Sequence, residues 1–203
     1  MNTIATVLGP VAVCLLMSLP TPARAQAEGP NFDCRKAGTR TVPQLICQDA
    51  ALSSLDRQLA AVYSAAVKKA VKERPPVLRA HQRGWIKGRD DCWKSTDVRA
   101  CVETAYRQRI AELQALYQLV DSRGPFTWVC DGPAGGEVIM RHFATDPPVA
   151  IAERGDAVSL MFQQPAASGA RYAGRNETFW EHQGEARVQW GYGVPEMRCT
   201  LKP

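Results

Sequence analysis

Between Thr41 and Tyr117 the apolar residues return at every third or fourth position, the period of a helix with one buried face. Leu45, Leu52, Leu55, Leu59, Val62, Ala66 and Ala70 make one such stripe, which predicts a single long helix. Thr41 stands where an N-cap is wanted, Pro43 suits the first turn, and Gln44 holds the capping-box position. The run "RPP" at 74–76 ends this helix, because Pro75 biases Arg74 away from helical geometry and has no N–H to donate. A second helix is expected near 77–91, with Leu78, His81, Trp85 and Arg89 on one side. A third, near 98–119, carries Val102, Tyr106, Ile110, Leu113 and Tyr117. Short connections make such helices antiparallel neighbours, so this half reads as a three-helix bundle.

At "DSRGP", Asp121 to Pro125, the pattern changes. The apolar period drops towards two, and Gly and Pro become frequent. Eight short strands are predicted near 126–131, 137–143, 149–153, 157–163, 171–174, 178–181, 186–190 and 197–201, separated by turn signals such as "GPAGG", "DPP", "RGD" and "GYGVP". A closed antiparallel barrel leaves no exposed strand edge and is preferred to a sandwich. The expected fold class is therefore α+β in two domains, a helical one over 26–122 and a small eight-stranded antiparallel β-barrel over 125–203.

Cysteine usage adds covalent ties to this picture. The segment from Ile4 to Leu19 is largely apolar and is followed by "ARAQA", which reads as a secretory signal over residues 1–25. Cys14 is a poor lipid-anchor site, because Val13 precedes it where a small residue is wanted. Six cysteines then remain, an even count that in an exported chain points to disulfides. Cys130 and Cys199, in the first and last strands, are expected to pair. In an antiparallel hairpin the start of the first helix lies beside the end of the second. That predicts Cys47 with Cys92 and leaves Cys34 for Cys101, one of three pairings that four cysteines allow. The absence of any C-x-x-C pair argues against zinc, and no cofactor is expected.

Charge divides unevenly between the halves. Residues 26–124 carry 17 Lys/Arg and 11 Asp/Glu, and residues 125–203 carry 7 and 9. The basic charges alternate along helical faces, the pattern of solvated helix surface and not of a nucleic-acid site. No other apolar run approaches the length a membrane span needs, so no transmembrane segment is expected in the mature chain.

The densest candidate chemistry lies in "SGARYAGRNETFWEHQGEA", Ser168 to Ala186. It holds a flexible Ser168–Gly169 pair, Arg171, Tyr172 and His182. Ser168 has no G-x-S-x-G context and no nominated base, and the chain lacks a phosphate loop and H-E-x-x-H. An enzyme is not expected. Trp180 is expected in the barrel core, and Trp85, Arg89 and Asp90 as structure within the bundle.

These motifs carry two resemblances. "FDCRKAGT", "ICQDAALSSLDRQLAAVY", "HQRGWIKGRDDC" and "CVETAYRQRIAEL" resemble the LprI N-terminal domain family of exported bacterial proteins. "WVCDG", "SGARY", "FWEHQGEARV" and the final "RC" resemble the membrane-bound inhibitor of c-type lysozyme family, MliC. That second resemblance implies an eight-stranded barrel closed by one disulfide and a c-type lysozyme as protein partner. It also implies a loop whose Ser and Lys engage the enzyme's catalytic carboxylates. The Ser falls on Ser168. The Lys falls on His182, a departure that exchanges a permanent charge for an imidazole, a group mostly neutral above about pH 6.5. Arg171 or Arg187 is the alternative cation. The function implied is a periplasmic or secreted lysozyme inhibitor. The alternative is a non-catalytic envelope module that binds another protein or a cell-wall component.

Overall fold

The computed structural model describes residues 29–70, 75–132 and 135–203. The expected signal segment, Cys14 and Arg74 lie outside the described residues. The helical half contains α1 (Thr41–Gln48), α2 (Ala50–Lys69), α3 (Pro75–Asp90) and α4 (Val98–Leu116). The single long first helix of the sequence reading is thus two helices, broken at Asp49. This residue is extended, with φ −104° and ψ 114°, and its carboxylate accepts the backbone N–H groups of Ala51 and Leu52. A carboxylate that satisfies two first-turn donors starts a new helix there. At the other end, Thr41 is the first helical residue and not the cap. Arg40 occupies the cap position without a side-chain bond to the helix's first turn, while the Gln44 amide donates back to the carbonyl of Gly38.

Val42, Ile46, Leu52, Leu55, Leu59, Val102, Tyr106, Ile110 and Leu113 form the bundle core. A polar network crosses it. The Arg89 side chain, only 7% exposed, donates to the Tyr106 hydroxyl at 2.7 Å and to Asp90 Oδ1 at 2.7 Å. Tyr106 in turn donates to Asp56 Oδ1 at 2.7 Å, and Trp85 meets the Tyr106 ring edge-on at 5.3 Å. A buried guanidinium is tolerable only when so partnered. The Trp85, Arg89 and Asp90 cluster therefore ties helices together, as the sequence suggested.

The disulfides join Cys34 to Cys47, Cys92 to Cys101 and Cys130 to Cys199. The barrel pair is the expected one, whereas the expected Cys47–Cys92 and Cys34–Cys101 pairs are not formed. A 3-10 turn at Cys34–Lys36 lies against α1, and another at Asp91–Lys94 leads into α4. Each turn gives its cysteine a partner nearby in sequence, 13 and 9 residues away. Helix adjacency alone does not reveal such local partners.

The second half is a closed barrel of eight antiparallel strands in sequence order, with β8 pairing back onto β1. They are β1 (Ser122–Cys130), β2 (Gly136–Phe143), β3 (Val149–Arg154), β4 (Ala157–Gln164), β5 (Ala170–Ala173), β6 (Glu177–His182), β7 (Glu185–Trp190) and β8 (Met197–Leu201). Trp128, Val138, Met140, Met161, Phe179 and Val188 fill the interior. Trp180 does not: it is 38% exposed, and its neighbour Phe179 takes the inward position. Strand alternation allows only one of two adjacent aromatics to face the core. The Cys130–Cys199 bridge closes a long loop and contributes roughly 4 kcal/mol in the chain-entropy account.

Because neighbouring strands are antiparallel, the start of β1, the connections β2–β3, β4–β5 and β6–β7, and the end of β8 share one end of the barrel. The helical half docks beside that end on the β2–β4 wall. Ala111 and Ala115 of α4 lie against Phe143 and Val149, with Ile151, Leu160 and Phe162 around them. Arg107 of α4 reaches Asp146 in the β2–β3 connection at 2.6 Å. In the closed strand order, the wall from β6 to β8 lies across the barrel from these contacts.

Candidate functional site

The β4–β5 connection carries Ser168 and Gly169. Gly169 has φ +68°, and a Cβ placed on it would stand 1.9 Å from the carbonyl oxygen of Glu181 and 3.2 Å from Cβ of His182. The loop is therefore laid directly on the end of β6, which only a residue without a side chain permits. The indole of Trp180 fastens it there, donating from Nε1 to the Ser168 carbonyl at 3.0 Å. His182 is the last residue of β6 and sits opposite Glu185 of β7. Gln183 and Gly184, with φ +53° and +83°, make the two-residue turn between them. Positive φ at both central positions matches the twist of a tight hairpin.

The structure thus brings Ser168, Gly169 and His182 together at one corner. Beside them the outer wall has a depression of about 730 Å³, whose lining includes Ser168, Trp180, His182, Arg187 and Arg198. These positions follow from strand register. Arg171, Trp180, Arg187 and Arg198 are successive partners across β5, β6, β7 and β8, with their side chains on the outside. Arg187 makes one exposed contact, 3.4 Å to Glu196. Arg171 shares this face but is not among the residues lining the depression. Tyr172 is on the other face: it is 7% exposed and its ring stands inside the barrel, 5.1 Å from that of His142. Burial, and then the charge of Glu181, pushes its phenol up.

Trp180 and Arg198 are the parts of this site that sequence reasoning missed. Their signal was parity. Trp180 shares its strand face with His182, and the pair "FW" has to divide between inside and outside.

Comparison with known proteins agrees with both halves. Residues 34–113 match the family model described as lysozyme inhibitor LprI, and residues 128–197 match the model described as membrane-bound lysozyme-inhibitor of c-type lysozyme. Proteins called lipoprotein LprI from Mycobacterium tuberculosis and Mycobacterium bovis are 33% identical over 172 residues, covering 84% of this chain and 85% of each relative. The chain belongs to the LprI family. No solved structure gives a significant match. As in the LprI relatives, similarity extends across both halves, so the bundle is part of the family's architecture and not an unrelated attachment. No helix among the described residues is long and apolar enough to cross a membrane.

Proposed function

We propose that the protein is an exported, non-catalytic inhibitor of c-type lysozyme, with its barrel spanning 125–203 and its helical domain 26–122. In this reading it works in the bacterial envelope or periplasm and inserts the Ser168 loop and the His182 turn into the enzyme's cleft. The observation that supports this most directly is the seating of Gly169 against Glu181 and His182, which brings the two segments into contact at one corner. Ser168 donates its hydroxyl to a catalytic carboxylate. A cation beside it neutralises the acid pair, and truncating one side of such a buried interfacial pair typically costs about 2–5 kcal/mol.

Two side chains can supply that cation. His182 occupies the corner itself, while Arg187 lines the same depression; imidazoles as a class change charge near neutrality and guanidiniums do not. Their roles separate by pH. Lysis of a bacterial suspension by c-type lysozyme is followed with the oxidised mature protein between about pH 5.5 and 8. Ser168→Ala is expected to abolish inhibition. If His182 carries the charge, inhibition fades as pH rises and His182→Lys removes the fade. If Arg187 carries it, inhibition holds across the range and Arg187→Ala loses it. A folded, oxidised sample that inhibits at no pH would overturn the reading in favour of an envelope module with another partner.

A further inference from the structure

Just inside the barrel end that bears the Ser168 loop, the interior is not filled. A cavity of about 280 Å³ opens there, walled by Phe126, Trp128, His142 and Tyr172, with Arg123 and Glu181 at its edge. It shares no lining residue with the outer depression. The walls are continuous aromatic surface, since Phe126, His142 and Tyr172 follow one another at ring distances of 5.8 and 5.1 Å.

One buried donor at this cavity is unspent, and the charges at its mouth, Arg123 on the exposed side, are not paired among the described residues. The Trp128 Nε1–H is buried without an acceptor. Among the described residues, the side chains of His142 and Tyr172 make ring contacts but no hydrogen bond, and neither Arg123 nor Glu181 forms an ion pair. Buried polar groups in native proteins are nearly always satisfied, so the orphaned Trp128 Nε1–H marks a place where something else supplies an acceptor. Eight-stranded barrels have interiors just wide enough to hold one small ligand when side chains leave room.

The chemistry of the rim selects the ligand. A guanidinium and a carboxylate face one cavity without pairing with each other. A simple anion would suit Arg123 and be repelled by Glu181, and a simple cation the reverse. Burial, and then the nearby Arg123 charge, lowers the His142 pKa, so the imidazole adds no competing positive charge near neutrality. The aromatic walls accept an apolar body and also favour an adjacent ammonium. We propose that this cavity binds a small zwitterion, a free α-amino acid with an apolar side chain, its carboxylate held by Arg123 and its ammonium by Glu181. This site is independent of lysozyme inhibition and stands or falls apart from it.

The reporter is the Trp128 indole N–H resonance of the ¹⁵N-labelled oxidised protein, assigned with Trp128→Phe. L-leucine and L-alanine are titrated to millimolar concentrations. Leucinamide, which lacks the carboxylate, and N-acetyl-leucine, which lacks the ammonium, are titrated in parallel. The expected result is a saturable shift of the Trp128 signal by at least one free amino acid, with both blocked compounds weaker by roughly tenfold or more. Arg123→Gln abolishes the preference over leucinamide, and Glu181→Gln the preference over N-acetyl-leucine. Both positions are at the cavity edge, so the barrel spectrum is expected to persist. The proposal is overturned if neither amino acid moves the Trp128 resonance, if blocked and free compounds act equally, or if only the Trp180 indole on the outer wall responds.

Discussion

Gly169 shows how much of the candidate site depends on a side chain that is missing. Its left-handed backbone alone would cost an alanine about 1–3 kcal/mol, and the Glu181 carbonyl leaves no room for the methyl group. Gly169→Ala is therefore expected to lift the loop off β6, breaking the Trp180–Ser168 bond while the barrel interior stays packed. Amide and indole NMR shifts should change around Trp180 and His182 and not around Met140 or Val188. Lysozyme inhibition should fall at least as far as in Ser168→Ala, and unchanged inhibition would detach the loop from the activity. The sequence shows that Ser168–Gly169 is a flexible pair, because small residues between strands are a local signal. It does not show what the pair rests on, since the seat on Glu181 comes from a strand pairing between distant residues. The outward position of Trp180 is hidden in the sequence for the related reason that its face depends on the phase of β6.

Among the elements, the break between α1 and α2 is set by one carboxylate. The apolar stripe runs past Asp49 as if the helix were continuous, yet the fully buried residues are Ile46 and then Leu52, a spacing that a single helical face does not give. Asp49→Ala removes the acceptor for two N–H groups and is expected to cost about 1 kcal/mol in urea unfolding. Asp49→Asn should recover most of it. The carboxylate pKa is lowered first by the Leu52 N–H and also by Arg99, so its folded-state value lies below the ordinary 3.8. Its stabilisation is in place above that ordinary value and fades as pH falls through the lowered one. A stability advantage of the parent protein over Asp49→Asn that grew on acidification would contradict this sign. Strands were more legible than helix joints, because turn residues punctuate the barrel at every connection. By contrast, the 3-10 turns that decide the disulfide partners have no hydrophobic period.

Across the whole molecule, α4 is shared property. Val102, Tyr106, Ile110 and Leu113 face the bundle, while Ala111 and Ala115 let the helix approach the barrel wall closely. Small residues at that contact make it sensitive to added bulk. Ala115→Leu is expected to overpack the junction by about 1–3 kcal/mol and to uncouple the halves, so that urea unfolding separates into two transitions followed by tryptophan fluorescence and far-UV circular dichroism. Arg107→Ala, which removes the exposed contact to Asp146, should change stability by less than about 1 kcal/mol. A single unchanged transition in Ala115→Leu would mean that apolar packing does not join the halves. The wall from β6 to β8 lies across the barrel from this junction, so uncoupling is expected to leave inhibition intact.

The covalent map has its own implication for how the chain matures. The six cysteines of the described residues are joined in three consecutive pairs: 34 to 47, 92 to 101, 130 to 199. No bridge encloses or crosses another. A chain delivered amino end first to an oxidant would therefore reach its native linkages if thiols were simply coupled in order of arrival, and a reshuffling catalyst would have nothing to correct. The vulnerable interval is the wait of Cys130 for a mate 69 residues behind it.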